Sequence, residues 1–237
     1  PEKSVNLAVY WNLNDMGYIL VTACLVLSLI VQAVLNRKFD KYSRITLYRG
    51  LTGAEVARAM LQQHGITDVR VEETEGFLTD HYDPREKVVR LSGKVYSSDS
   101  VAAAAVAAHE CGHAVQHARG YAPLRLRTAL VPTVNFASRI VSWVLLAGIL
   151  TIQIFPGILW FAIALFAMTT LFSIVTLPVE TNASRKAVAW LDRAGIGEGE
   201  TKTQAQDALK WAAYTYVVAA LSSLVTLFYY IGIARRS

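Results

Sequence analysis

Four uninterrupted apolar runs, Met16 to Leu35, Ile140 to Phe155, Gly157 to Leu177 and Ala212 to Ile233, contain no Asp, Glu, Lys or Arg. Three of them have the ~20 residues that cross a bilayer as helix, and such runs must be helical because lipid cannot satisfy an open backbone. The second becomes long enough when Phe136, Ala137 and Ser138 join it, with Arg139 extending its stem toward water. Pro156 and Gly157 predict a tight turn between the second and third runs, which then form a hairpin. Composition agrees: 54% of the residues are hydrophobic and 17% charged, against ~45–50% and ~25% in ordinary globular domains. A water-soluble fold of this size is excluded. Two cysteines are too few for a disulfide framework or a thiolate metal site, and the net charge of +5 is not gathered into the basic blocks that nucleic acid would require.

The first run reads as a retained anchor, because its basic residues Arg37, Lys38, Lys41 and Arg44 follow it and no cleavage site closes it. Trp143, Trp160, Trp211, Tyr229 and Tyr230 stand near run ends, where amphipathic rings favour headgroups, although Trp143 and Trp160 fit equally between helices. Lys and Arg are dense before the second run and after the third, and absent from the turn between them. The positive-inside tendency therefore places those water-facing segments in the cytoplasm of a multi-pass inner or plasma membrane protein, with Arg235 and Arg236 as the one contrary signal.

The sequence thus predicts a mainly α membrane protein: four transmembrane helices plus a small α+β domain. The layout is 16–35 for helix one, 36–135 for the cytosolic domain, 136–177 for the hairpin, 178–210 for a second cytosolic segment and 211–234 for helix four. Within 36–135, Thr52 and Glu55 form a capping box before a helix whose Val56, Met60 and Leu61 share a face and which stops at Gly65. Strands are expected at Asp68 to Glu73 and Lys87 to Ser92, with a turn at His81-Tyr82-Asp83-Pro84 between them. Ser97, Ser98 or Asp99 caps a long Ala-rich helix ended by Gly120 and Pro123.

That helix carries His109-Glu110-Cys111-Gly112-His113, an HExxH motif. At 3.6 residues per turn, His109 and His113 share a face and can present two imidazoles to one Zn²⁺, while Glu110 stands about 100° round the helix. Neutral imidazoles hold zinc without cancelling its charge, and zinc acidifies water. The carboxylate of Glu110 is then free to act as general base and later to protonate a leaving amine. Incidental histidines on a surface helix are the alternative, which an Ala-rich helix packed on one face disfavours.

Two protein ligands do not complete a zinc site. His117 lies about 12 Å of helix rise beyond His109, too far for a shared ion, and reads as a helix-end or ligand-supporting side chain. A histidine at 119 would suit a metzincin, but Arg119 stands there. Glu180, in Leu177-Pro178-Val179-Glu180, is the better candidate, since the hairpin crosses twice and returns it to the side of His109. An interfacial glutamate marking a helix end is the alternative. Ser184, one turn on, can hydrogen-bond a ligand.

The runs Leu78 to Pro84, Val101 to His117 and Leu177 to Arg185, with Arg49 to Arg58 and Tyr121 to Pro132, resemble the membrane-bound neutral zinc metallopeptidases of the YugP-like group over about residues 36–210. The resemblance implies a gluzincin-type site: His109, His113 and Glu180 as ligands of one Zn²⁺ per chain, and Glu110 as general base. Related membrane zinc proteases often have Asp where Ser184 stands, and Thr181 replaces a larger residue. The strand after Pro84 then offers a sheet edge for the substrate backbone. His81 or Tyr82 would stabilise the oxyanion, unless His81 to Pro84 is a structural turn. Cys111 and Cys24 read as buried small hydrophobes.

The expected function is that of an integral membrane zinc endopeptidase acting on membrane or membrane-proximal proteins, with peptide and lipid bilayer as partners and no nucleic acid. The alternative is a non-catalytic zinc-binding scaffold or adaptor, against which the intact Glu110 argues. A transporter is disfavoured by the absence of charge in the apolar runs, and intramembrane proteolysis by the position of the zinc motif outside them.

Overall fold

The computed structural model describes residues 2–76, 79–196 and 199–235, with side chains from Met16 onward. Leu78 and Arg236, which entered the sequence argument, lie outside the described residues. The described chain is mainly helical: α1 (Glu2–Tyr42), α2 (Gly53–Gln63), β1 (Arg70–Thr74), β2 (His81–Asp83), β3 (Val88–Ser92), α3 (Gly93–Tyr96), α4 (Val101–Ala118), α5 (Ala122–Leu150), α6 (Pro156–Arg193) and α7 (Glu200–Ala234). It divides into two compact units, one of 1–30, 126–176 and 216–237, the other of 31–125 and 177–215.

The first unit is built from the apolar parts of α1, α5, α6 and α7, four helices long and apolar enough to cross a membrane. Its small core joins Ala137, Val141 and Leu145 of α5 to Leu159, Ala162 and Ile163 of α6. Gly148 permits this crossing, since a Cβ there would stand 2.7 Å from the Leu159 Cα. Large apolar side chains face outward, among them Tyr18, Trp143 and Leu150, as lipid-facing helices require and water would not tolerate. Trp143 is thus not packed between helices. Ser28, Thr151, Ser173 and Thr176 return their hydroxyls to the carbonyl four residues back, which satisfies them without water. The hairpin turn differs from the expectation. Residues 151–155 make it, and Pro156 is already the first residue of α6, a position where its missing N–H costs nothing.

The second unit holds the sheet and the Ala-rich helix. The capping box opens α2 as expected: Glu55 N donates to Thr52 Oγ1 and Thr52 N to Glu55 Oε2. Gly65, at φ +70°, ends it. The sheet order is β1-β3-β2, with β1 parallel and β2 antiparallel to β3. Two sequence expectations change here. His81 to Asp83 is a strand rather than only a turn, although Asp83 does accept from the amides of Arg85 and Glu86 and so closes the turn that follows. The strand after Pro84 is therefore central, its edge taken by β2, and cannot receive an added strand.

Helix α4 is apolar around most of its circumference, and Val101, Ala104, Ala108, Cys111 and Val115 are buried with Val56 and Met60 of α2 in one core. A helix apolar on all sides belongs inside. Its N-cap is Ser100, which accepts from Ala103 N, rather than Ser97, Ser98 or Asp99; Ser98 instead donates to Ser100 Oγ. Helix α1 ends in this unit, where the Tyr42 hydroxyl donates to Asp207 of α7 at 2.6 Å and Lys38 pairs with the same carboxylate.

Candidate metal centre

His109 and His113, four residues apart on α4, turn their rings toward one point, with centroids 4.9 Å apart and planes at 87°. Glu180 comes from α6, two residues after the helix-internal Pro178. One of its oxygens, Oε2, lies 3.2 Å from His109 Nε2 and 3.6 Å from His113 Nε2. The ligand atoms of the three residues all fall within 4.8 Å of one another, and His113 and Glu180 are buried. Burial disfavours a charged His113, but the Glu180 hydrogen bond and the negative charges of Glu110 and Glu180 outweigh it and raise the imidazole pKa.

The approach of the helices depends on Gly112. A Cβ at this position would stand 2.7 Å from the Ala183 carbonyl oxygen, so any larger residue would drive α4 and α6 apart.

The outer nitrogens of both imidazoles are engaged. His109 Nδ1 lies 3.1 Å from Ser184 Oγ, and His113 Nδ1 lies 3.1 Å from Gln116 Oε1. This leaves the two Nε2 atoms, which face Glu180, as the atoms that could ligate an ion. Two imidazoles and one carboxylate, each imidazole held from behind, are a donor set that fits zinc. Glu110 neighbours His109 in sequence, and its side chain is nearly buried.

His117 takes no part in this group. Its Nδ1 lies 2.8 Å from the Tyr82 hydroxyl, which ties the last turn of α4 to β2. Burial pushes the Tyr82 phenol up to about 12, with the charges of Asp68 and Asp83 adding to the effect, so it stays protonated. His81 is exposed and turns Nδ1 to its own loop, 2.7 Å from the Thr79 carbonyl. Thr181 donates to the Leu177 carbonyl on its own helix.

The sequence reading missed Gln116 and Asn182. Gln116 is fully buried, and its Nε2 donates to the Val179 carbonyl and to Asn182 Oδ1. Its only sequence signal was a polar residue three positions after the second histidine of the HExxH motif, on a helix rich in small apolar residues.

Residues 17–235 match a family model described as "Putative neutral zinc metallopeptidase". The chain is also 42% identical over 214 residues to the "Putative membrane protease YugP" of Bacillus subtilis (strain 168), a match that covers 90% of this chain and 94% of that one. No solved structure matches it.

Proposed function

The chain belongs to the neutral zinc metallopeptidase family, and on that premise we propose that it is a zinc-dependent endopeptidase of the membrane, cutting membrane or membrane-proximal proteins. The observation that carries the proposal is the meeting of His109, His113 and Glu180 across 71 residues of chain. These three would hold one zinc ion per chain. When bound there, zinc supplies a Lewis acid that acidifies water and polarises a carbonyl.

Glu110 acts as general base. Its carboxylate takes a proton from the attacking water as the new C–O bond forms, then gives that proton to the amide nitrogen as the C–N bond breaks. Tyr82 is the better donor for the oxyanion than His81, which is exposed and turned to its own loop; with His117 donating from Nδ1 to the phenol oxygen, the single O–H of Tyr82 is left for the substrate. The free edge of β2 is where a substrate backbone would add as a further strand. Segments 36–135 and 178–210 form the peptidase part, on the cytoplasmic side by their Lys and Arg content. Glu180 follows the apolar run ending at Leu177 by three residues, which tethers one ligand near the bilayer and favours substrates found there.

The test is zinc content per chain of the purified full-length protein and of Glu180→Ala, with cleavage of unfolded casein with and without chelator. One zinc in the wild type, its loss in Glu180→Ala and chelator-sensitive cleavage are expected. Zinc without cleavage would favour the scaffold reading, and wild-type zinc in Glu180→Ala would overturn the ligand set.

A further inference from the structure

We propose that Gln116 is a positioning residue of the metal centre, one whose side-chain amide fixes the tautomer of His113 and braces the turn of α6 that carries Glu180. The inference rests on the reading of His113 and Glu180 as metal ligands.

A primary amide has two N–H donors and one acceptor oxygen, and Gln116, with 0% of its surface exposed, must satisfy them inside the protein. Nε2 donates to the Val179 carbonyl at 2.7 Å and to Asn182 Oδ1 at 3.0 Å. A backbone carbonyl can only accept, so the amide cannot be turned round without setting two oxygens against each other. Oε1 therefore faces His113 Nδ1, 3.1 Å away, and can only accept from it. Nδ1 must carry the proton. A neutral imidazole has one N–H, so the Nε2 of His113 is left with its lone pair directed at the Glu180 side of the site.

The same amide acts on the second ligand through the backbone. Val179 adjoins Glu180, and the Gln116 hydrogen bond holds its carbonyl to α4. The preceding carbonyl, of Pro178, receives the Tyr121 hydroxyl at 3.5 Å. Two side chains from the end of α4 and the residues just after it thus grip the turn from which Glu180 projects. One buried residue both selects the ligating nitrogen of His113 and sets the reach of the carboxylate.

The experiment measures zinc affinity of the detergent-solubilised full-length protein by competition with a chromophoric chelator, beside thermal melting of the metal-free protein. Gln116→Met keeps the length and removes every polar contact; Gln116→Glu keeps an acceptor for His113 and loses the N–H donors. Expected are a ~10–100-fold weaker zinc affinity in Gln116→Met and recovery of part of that loss in Gln116→Glu, which restores the acceptor for His113 but not the brace on Val179. A role as mere helix-to-helix adhesive predicts the reverse: both variants melt lower, and Gln116→Glu binds zinc no better than Gln116→Met. That result, or wild-type affinity in Gln116→Met, overturns the proposal. Should Gln116→Met not fold, Gln116→Glu decides alone, a loss within ~10-fold supporting the tautomer role and a loss as large as ~100-fold removing it. Failure of the ligand assignment is separately visible, because Glu180→Ala would then bind zinc like the wild type.

Discussion

Gly112 on α4 faces the Ala183 backbone on α6 so closely that a Cβ at 112 would lie 2.7 Å from the Ala183 carbonyl oxygen. A glycine inside a helix costs about 1 kcal/mol relative to alanine, so by helix propensity alone Gly112→Ala should stabilise α4. The contact decides otherwise, because the obstacle is backbone that cannot rotate away. Gly112→Ala is expected to destabilise the protein by about 1–3 kcal/mol, as overpacking does. It should also weaken zinc binding, since His109 and His113 move with one helix and Glu180 with the other. Melting and zinc competition check this, and wild-type values in both would show that the helices have room to spare.

Glu110 stands beside the ligands without joining the group that His109, His113 and Glu180 form. Replacing its carboxylate by an amide of the same size removes a proton acceptor and leaves the metal donors intact. Glu110→Gln should keep one zinc per chain and lose about 10²–10⁴-fold in peptide hydrolysis, the usual worth of general acid–base catalysis. Loss of zinc in this variant would make Glu110 a ligand or a structural support, and retained hydrolysis would remove it from the mechanism.

Ser184 stands behind His109 as Gln116 stands behind His113, but in a more open setting: the hydroxyl is half-buried and 3.1 Å from Nδ1, with no further hydrogen-bond partner among the described residues. Water can take the place of a lost hydroxyl there. Ser184→Ala should therefore weaken zinc binding by about tenfold, the low end for partners of ligating histidines, and Ser184→Asp should strengthen it, since a carboxylate is the better acceptor for an imidazole N–H. An effect of Ser184→Ala larger than that of Gln116→Met would reverse this ranking of the two histidines.

What could be read in the sequence follows the range of the interactions involved. The four long helices were legible because a bilayer imposes a length and forbids charge, both of which are counted along the chain. The pairing of His109 with His113 was legible because it is a property of one helix. Glu180 required crossings to be counted and a family resemblance, since nothing local brings α6 to α4. The edge of the sheet was misassigned because β2 has only three residues, too few to show a period of two, and its pairing with β3 depends on register. Ser100 was passed over as a cap because Ser97, Ser98 and Asp99 offer the same chemistry one to three residues earlier. Gln116 was unreadable for a different reason. In the last turns of a helix a glutamine ordinarily faces water, and only the depth of α4 in the core gives this one its task.

Both native thiols, Cys24 and Cys111, are buried, and this opens a test of orientation. Burial, with the nearby charge of Glu110, pushes the Cys111 thiol well above its ordinary pKa, so it carries almost no thiolate at neutral pH and is inert in the folded protein. Its Sγ also points at the Ala57 carbonyl within the core. Tyr48, by contrast, is wholly exposed between α1 and α2, at 102% of the reference surface. A cysteine placed there by Tyr48→Cys should be the fast-reacting thiol of the intact protein. On the proposed function, residues 36–135 lie in the cytoplasm, as the positive-inside tendency of their Lys and Arg would have it. A membrane-impermeant maleimide should then label Tyr48→Cys in inverted vesicles and leave it untouched in intact cells, while the parent protein stays unlabelled in both until unfolded. Labelling of Tyr48→Cys in intact cells would turn the whole topology over and place the metal centre on the outer face.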